Sequence, residues 1–508
     1  MSSKKKILFI TPPYHAGVVE SAGTWMPLVF VYLAGAVRKA GYEAKIYDAM
    51  SKQHSLEEIG TTLRREAFDY IAITSITASI NASIDVLALA KRIHPGVKTI
   101  MGGVHPTFCY QDLFGEHSNI IDYIVVGEGE ETLPELLKAL DLGNDVKDVA
   151  GLTYVDEGEV KHTAVRPFCQ DLDSLPTAWD LIDWEDYRYF VIPDSRLAAI
   201  STSRGCTHGC TFCSQQKFWG KTWRGRDPQN ILAEMQHLHS EYGVNIFLFV
   251  DEYPTKDRER WERLLDLIIV SELDVYILLE TRAEDIVRDE DILEKYKAAG
   301  VIHIYIGLEA TSQETLDLIN KELSIEASRK AIRLIHAHHM ITETSFVIGF
   351  PWETKESIDE TLRLAQEYSP DFAHFLAITP WPYAEMYREM EPFIEVYDYG
   401  RYNLVEPIIK PETMSLKEVR SQLVDCYRRY YMNKAHDFFT EPDAFKKEYL
   451  KTSMRLIMKN SFLTELIRSS GQESAFSRMF DAMTGKHPKT KTGVIHPHTL
   501  TQLNILSE

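Results

Sequence analysis

From residue 7 onward the chain alternates short apolar runs with longer amphipathic stretches, in two successive blocks. The first block has runs at 7–11, 44–47, 70–74, 98–101 and 123–126, with amphipathic stretches near 28–40, 55–66, 81–93 and 130–140. Strands spaced this way need crossover connections, so the pattern predicts a parallel sheet with helices on both faces. The second block has runs at 198–201, 246–250, 275–280, 303–307, 344–348 and 373–378. Six strands with intervening helices predict a partial (β/α)6 barrel. Both architectures bind ligands at the carboxyl ends of their strands. Between the blocks, 149–165 reads as a β-hairpin around a Glu157-Gly158 turn, and 166–190 as a crossing loop rich in Asp, Pro and Trp. The stretch 415–484 reads as helical. The expectation is an α/β chain with a doubly wound domain over 1–145, a hairpin and linker over 146–190, a barrel over 191–400 and a helical region over 401–508. A length of 508 residues is more than one domain normally holds.

The sharpest motif follows the first strand of the second block. Cys206, Cys210 and Cys213 have C-x3-C-x2-C spacing with small, turn-forming residues between them. Three thiolates on one loop suit three irons of a cubane 4Fe–4S cluster. The fourth iron then keeps an open coordination position. Phe212 is the aromatic residue that usually precedes the last cysteine of such a loop. A structural zinc site wants four ligands, usually as two C-x2–4-C pairs. Cys109, Cys169 and Cys426 are single and scattered, and His208 lies inside the loop where its reach is poor. These three lone cysteines read as small buried hydrophobes.

Composition excludes several classes. A net charge of −20 argues against nucleic acid as a partner, because phosphate binding needs a basic footprint. The basic residues Lys217, Lys221, Arg224 and Arg226 are a local exception beside the cysteine loop. The first apolar run is too short for a signal-peptide core and meets Pro12-Pro13. No run approaches the length of a membrane span, so the expectation is a cytoplasmic protein. The first block lacks a G-x-G-x-x-G after its first strand, which makes a nicotinamide dinucleotide a poor fit. Gly127-Glu128-Gly129 is glycine-rich, but its carboxylates would repel a pyrophosphate.

The cysteine pattern resembles the radical S-adenosylmethionine (SAM) superfamily. There the open iron chelates the amine and carboxylate of SAM, and an electron cleaves it to methionine and a 5′-deoxyadenosyl radical. The resemblance implies SAM-handling roles for Phe212, Asp251 and Glu252 (amine), Arg282 (carboxylate), Glu309 (ribose) and Gly349 (adenine). Each alone also reads as a cap or an ion pair. The first block resembles the Rossmann-like cobalamin-binding domain ahead of many such barrels, implying a cofactor site lined by Thr11, Asp48, Ser75, Thr77, Gly102, Gly103, His105, Gly127 and Glu128. The D-x-H-x-x-G motif that supplies a cobalt-ligating histidine is absent, since Ala49-Met50 follows Asp48. His105 reads either as a turn histidine or as a hydrogen-bonding partner of the corrin.

Further stretches narrow the resemblance. Asp251-Glu-Tyr-Pro-Thr255, Thr379-Pro-Trp-Pro382, 402–414, Tyr430-Tyr-Met-Asn-Lys-Ala435 and 215–219 are similar to the anaerobic magnesium-protoporphyrin IX monomethyl ester cyclase family. That family closes the fifth ring of chlorophylls without dioxygen, taking the oxo oxygen from water. The resemblance implies a tetrapyrrole substrate packed by Trp219, Trp223, Trp381 and Tyr383, and an electron donor such as flavodoxin or ferredoxin. Tyr253 and Glu280 depart from the family pattern, where a Glu and an Asn are expected. Close relatives methylate unactivated carbons, so a C-methyltransferase is the second reading and a non-catalytic tetrapyrrole-binding protein the third. The basic stretch 445–468 reads as a helix that covers the barrel, with contact to a membrane surface as the alternative.

Overall fold

The computed structural model describes residues 4–14 and 22–460. The expected helical turns beyond 460 and the tail after Gly485 lie outside the described residues. The first sheet contains β1 (Lys6–Ile10), β2 (Glu43–Tyr47), β3 (Tyr70–Thr74), β4 (Lys98–Gly102), β5 (Tyr123–Val125), β6 (Leu152–Asp156) and β7 (Glu159–His162). Its order is β2-β1-β3-β4-β5-β6-β7. β1 to β5 are parallel, and the hairpin β6–β7 extends the sheet in antiparallel fashion through β5. The hairpin is therefore part of this sheet. Leu152 and Thr153 are fully buried, while β7 has no buried residue.

One helix was not legible. Gly102–Thr107 reads as a loop, but a helix begins at Val104 and runs to His117. Gly103 has φ +102, and a Cβ there would lie 2.4 Å from the Ser75 carbonyl oxygen. That close approach of the loops after β3 and β4 requires glycine. His105 consequently stands in the first turn of a helix, not on a loop.

The segment after the hairpin crosses to the second sheet through short 3-10 turns. It runs over the helix Leu28–Lys39 so closely that a Cβ on Gly35 would meet the Pro176 carbonyl oxygen at 2.3 Å. The barrel follows: β8 (Leu197–Ile200), β9 (Ser203–Gly205), β10 (Trp223–Gly225), β11 (Ile246–Phe249), β12 (Tyr276–Thr281), β13 (Val301–Glu309), β14 (Ile341–Ile348) and β15 (Phe372–Ala377). Six of these form one parallel sheet, β15-β14-β13-β12-β11-β8, while β9 and β10 pair as a separate antiparallel ribbon. The edges β8 and β15 do not pair, so the barrel is open.

Side-chain alternation shows what the barrel is for. In β12 to β15 every incompletely buried position, among them Tyr276, Glu280, Tyr305, Glu343, Val347, His374 and Leu376, falls on one alternating face. The intervening residues, such as Ile304, Ile306 and Phe346, are fully buried. A filled barrel packs its interior with branched apolar side chains. Here the lumen face is polar and accessible, which leaves room for ligands.

The helix Ala444–Asn460 closes the amino-terminal end of the barrel, as the covering reading expects. Its Tyr449 hydroxyl meets His303 Nδ1 at 2.7 Å and also bonds Tyr189. Lys446 pairs with the buried Asp371 at 2.9 Å, and Phe445 stacks on Tyr276 at 5.5 Å. No described helix is long and apolar enough to cross a membrane.

Candidate functional site

The loop after β9 gathers the three cysteines at the carboxyl end of the barrel. Asn320 donates to the Gly209 carbonyl at 2.7 Å, and the Thr211 amide donates to the Ile319 carbonyl at 3.0 Å. Cys213 caps the helix Ser214–Trp219. Its thiol is pushed up to about 11 by burial, with the negative charge of Cys210 and Cys206 adding to the effect. Burial also raises Cys206. Thiols that repel one another as thiolates are close together, and Arg282 opposes the rise at Cys206 while Lys321 faces Cys210. Three soft donors on one loop beside two cations fit a thiolate-bound iron–sulfur cluster.

Around this loop the strand ends bring together most of the expected residues. Glu309 stands at the end of β13 in the left-handed region, φ +64, beside a register shift. Its carboxylate accepts from Lys321 Nζ at 3.0 Å and Ser345 Oγ at 3.1 Å. A non-glycine residue is uncommon in this backbone region, and the two partners hold Glu309 there. Lys321 has no local sequence signal; only the tertiary fold brings it there. Arg282 Nη2 donates to Glu284 at 2.8 Å and to the Glu322 carbonyl at 2.6 Å, and the guanidinium faces the cysteines. Gly349 has φ +90, and its amide and that of Phe350 donate to Glu353 at 2.6 and 3.0 Å. Phe212 packs against the apolar cluster around Phe350 and Ile378.

The structure separates the Asp251-Glu252 pair. Asp251 is 2% exposed and accepts from the Thr202 amide, the Thr202 hydroxyl and Ser203 Oγ at 3.0, 3.0 and 2.6 Å. It is closed off from the lumen and locks the turn into the cysteine loop, because burial makes its carboxyl take every donor at hand. Glu252 lies nearer the site. It accepts from the Gly205 amide at 3.2 Å and the Trp219 indole at 2.7 Å. Trp219 therefore orients Glu252 and packs edge-on to Phe218 at 4.7 Å, instead of presenting a free face. The Trp223 indole donates to the Tyr253 carbonyl at 2.9 Å, and its ring lies under Arg260.

Glu280, absent from the expected set, ends β12 inside the lumen. Its side chain is accessible yet ringed by protein, and burial followed by the charge of Glu309 pushes its carboxyl up to about 7. Deeper in the lumen, Glu343 is flanked by His303, at 2.7 Å, and His374, which hold it well below the usual carboxylate range against its burial.

On the first domain the expected residues divide into two groups. Asp48 accepts from Thr11 Oγ1 at 2.7 Å, the Ser51 amide at 3.1 Å and Tyr187 OH at 2.8 Å, and is 3% exposed. Thr11 and Asp48 therefore tie the strand ends to the crossing segment. Glu128 is held by Arg204 and Arg224. The second group is a cluster of buried small hydroxyls with glycines at the ends of β3, β4 and β5. Ser75 Oγ meets Ser83 Oγ at 2.6 Å and Ser79 Oγ at 3.3 Å beside Gly102-Gly103. The Gly127 amide donates to Thr107 Oγ1 at 3.1 Å. Thr77 Oγ1 meets His105 Nδ1 at 3.1 Å and donates to Tyr383 OH at 3.2 Å, so this group touches the barrel. Tyr383 stacks on Phe108 at 5.3 Å, and Trp381 packs beside them. His105 is 1% exposed, edge-on to Tyr399, with burial lowering it to about 4. Small hydroxyls and glycines suit close approach of the nucleotide tail of cobalamin, and Lys217, 5.2 Å from the centroid of the Phe108 ring, is a cation beside them.

A parallel sheet with a cluster of small residues at its strand ends, set against an open barrel whose first loop bears three cysteines, is the arrangement of a cobalamin-dependent radical SAM enzyme. Family models agree: the B12 binding domain matches residues 14–137 and the radical SAM superfamily residues 200–365. Such an enzyme takes a 4Fe–4S cluster, SAM and cobalamin. The chain is 37% identical to an anaerobic magnesium-protoporphyrin IX monomethyl ester cyclase of Cereibacter sphaeroides, over 89% of this chain and 75% of that one. It is 29% identical to an uncharacterized methyltransferase of Pyrococcus horikoshii, over 84% of this chain and 92% of that one. The solved radical SAM methyltransferase TsrM of Kitasatospora setae, with cobalamin and a 4Fe–4S cluster bound, shares the fold with a TM-score of 0.67. That alignment has 14% identity and covers 92% of this chain and 100% of the other. The chain belongs to the cobalamin-binding radical SAM family that includes the anaerobic magnesium-protoporphyrin IX monomethyl ester cyclases.

Proposed function

We propose that the protein closes the isocyclic ring of magnesium-protoporphyrin IX monomethyl ester, using water as the oxygen source. The observation that carries this reading is the 37% identity to a cyclase across most of both chains, against 29% to a methyltransferase. Bound together, the cluster, SAM and cobalamin supply a hydrogen-abstracting radical and an electron acceptor. Cys206, Cys210 and Cys213 hold the cluster. Glu252, Arg282, Glu309 and the Gly349 loop hold SAM over it, with Phe212 in the wall behind. Ser75, Thr77, Gly102, Gly103, His105 and Gly127 line the cobalamin site. Trp381 and Tyr383, at the junction of the two domains, pack the macrocycle.

The lumen offers a proton acceptor for the overall reaction. Ring closure with water removes protons, and Glu280, raised to about 7 in the lumen, is a carboxyl poised to accept one near neutral pH. Electrons enter from a small reduced carrier of the flavodoxin or ferredoxin class, and the enzyme works in the cytoplasm. Anaerobic turnover with the porphyrin ester, SAM and a reductant tests the reading. Cyclisation adds oxygen and removes hydrogen, whereas a product heavier by a methylene would establish methylation.

A further inference from the structure

Four charged side chains that the proposed function leaves unused, Glu128, Glu130, Arg204 and Arg224, meet in space. Gly127-Glu128-Gly129-Glu130 follows β5 in the first sheet. Ser203-Arg204-Gly205 is β9, and Cys206 comes next in the chain. Arg204 reaches across the domain boundary. Its Nη1 donates to Glu128 Oε1 at 2.7 Å and its Nη2 to Glu130 Oε1 at 2.6 Å. The same guanidinium lies over the Tyr32 ring of the first domain, 5.2 Å from the centroid. Arg224 is the register partner of Arg204 in the β9–β10 ribbon. It donates to Glu128 Oε2 at 2.9 Å and Oε1 at 3.0 Å, and covers Phe168 at 4.9 Å. The Cys169 amide completes the shell of Glu128 at 2.8 Å. All four charged side chains are buried, between 7% and 12% exposed.

Stability alone is a poor reason for such a site, since well-packed apolar groups replace buried ion pairs at little or no cost. What two forked guanidiniums supply is direction. Planar, doubly held donors fix distance and angle in a way a flexible contact does not. The strand they fix leads straight into the cluster loop, and its Gly205 amide is also the donor to Glu252. The strand that enters the cysteine loop is thereby indexed to the first domain through its own Arg204, with Phe168 and Cys169 of the 166–190 linker packed into the same contact.

We propose that Glu128, Glu130, Arg204 and Arg224 are positioning residues that set the separation and orientation of the iron–sulfur cluster relative to cobalamin. The proposal rests on the cofactor sites and not on the substrate, so its main test needs no substrate. Holoenzyme of wild type, E130Q and R204K is assayed for iron and corrinoid content. The microwave saturation of the Co(II) signal is then recorded with the cluster oxidised and with it reduced. A reduced, paramagnetic cluster speeds cobalt relaxation with a steep dependence on distance. In wild type the enhancement is single-valued. In both variants iron and corrinoid are retained, while the enhancement weakens and spreads. In turnover, product formed per 5′-deoxyadenosine falls about tenfold, the size expected when reacting groups are misplaced by a fraction of an ångström. E130Q removes one charge, leaves an amide oxygen for Arg204 and keeps the Glu128 pair, which guards against simple misfolding. A lowered thermal midpoint with unchanged relaxation and coupling would overturn the proposal. So would loss of iron from E130Q, because these residues would then be holding the loop together instead of placing it.

Discussion

Replacing Glu353 with Gln isolates one buried carboxyl that shapes the loop assigned to SAM. Glu353 is 8% exposed, and its Oε2 accepts the amides of Gly349 and Phe350 at 2.6 and 3.0 Å. Burial pushes its carboxyl up to about 7 from 4.5, outweighing the two amides, which favour the ionised form. The folded chain therefore binds more protons here than the unfolded chain between those two values. The stability contributed by the neutral form is fully present below the unfolded value and is lost as pH rises through about 7. Full ionisation costs about 3 kcal/mol on this reasoning. A glutamine oxygen accepts the same two amides and carries no charge. Glu353→Gln is thus expected to match wild type near about pH 4 and to exceed it by up to about 3 kcal/mol near about pH 8. Anaerobic unfolding in urea, run on both proteins across that range, measures the difference directly. A difference that stays flat with pH, or a wild type that gains on the variant as pH rises, would refute the reasoning.

Three further outcomes are expected. Cys206→Ala, Cys210→Ala and Cys213→Ala should each abolish SAM cleavage and lower iron from about four per chain, whereas Cys426→Ala, buried in the helix Leu416–Thr440, should leave both unchanged. Asp371→Asn should destabilise the barrel by about 3–5 kcal/mol, because it leaves Lys446 buried without its partner. Since the folded Asp371 is held well below its ordinary value by His336 and Lys446 despite burial, its contribution is lost only in acid, and the denaturation midpoints of the pair should stay parallel between about pH 6 and 8. Co(II) electron paramagnetic resonance should show no nitrogen splitting. Among the residues after Asp48, His54 is engaged by Tyr47 OH at 2.6 Å, and His105 is held by Thr77. A nitrogen triplet that vanished in His105→Ala would identify His105 as the ligand.

The parallel strands were legible because buried strands are continuous apolar runs punctuated by turn residues. The cysteine loop was legible because its ligands are adjacent in sequence. The helix Val104–His117 was hidden by Gly102-Gly103 and Pro106 at its start and by non-helical backbone at Cys109, which blur the helical period. Carboxylates were the hardest to place. Asp48, Glu128 and Asp251 look like ligand-binding groups at strand ends, but their donors, Tyr187, Arg204 with Arg224, and Thr202, come from distant segments. No local pattern reveals that. Lys321 beside Glu309, and His303 and His374 around Glu343, depend on strand register and became visible only with the sheet assembled.

The most direct test of the account is anaerobic turnover of magnesium-protoporphyrin IX monomethyl ester in water enriched in heavy oxygen, with SAM, cobalamin and a reductant, followed by mass spectrometry. The account predicts 5′-deoxyadenosine together with a product that has lost hydrogen and carries labelled oxygen in its new ring. An unlabelled product heavier by a methylene, or a porphyrin left unchanged while SAM is cleaved, would contradict it.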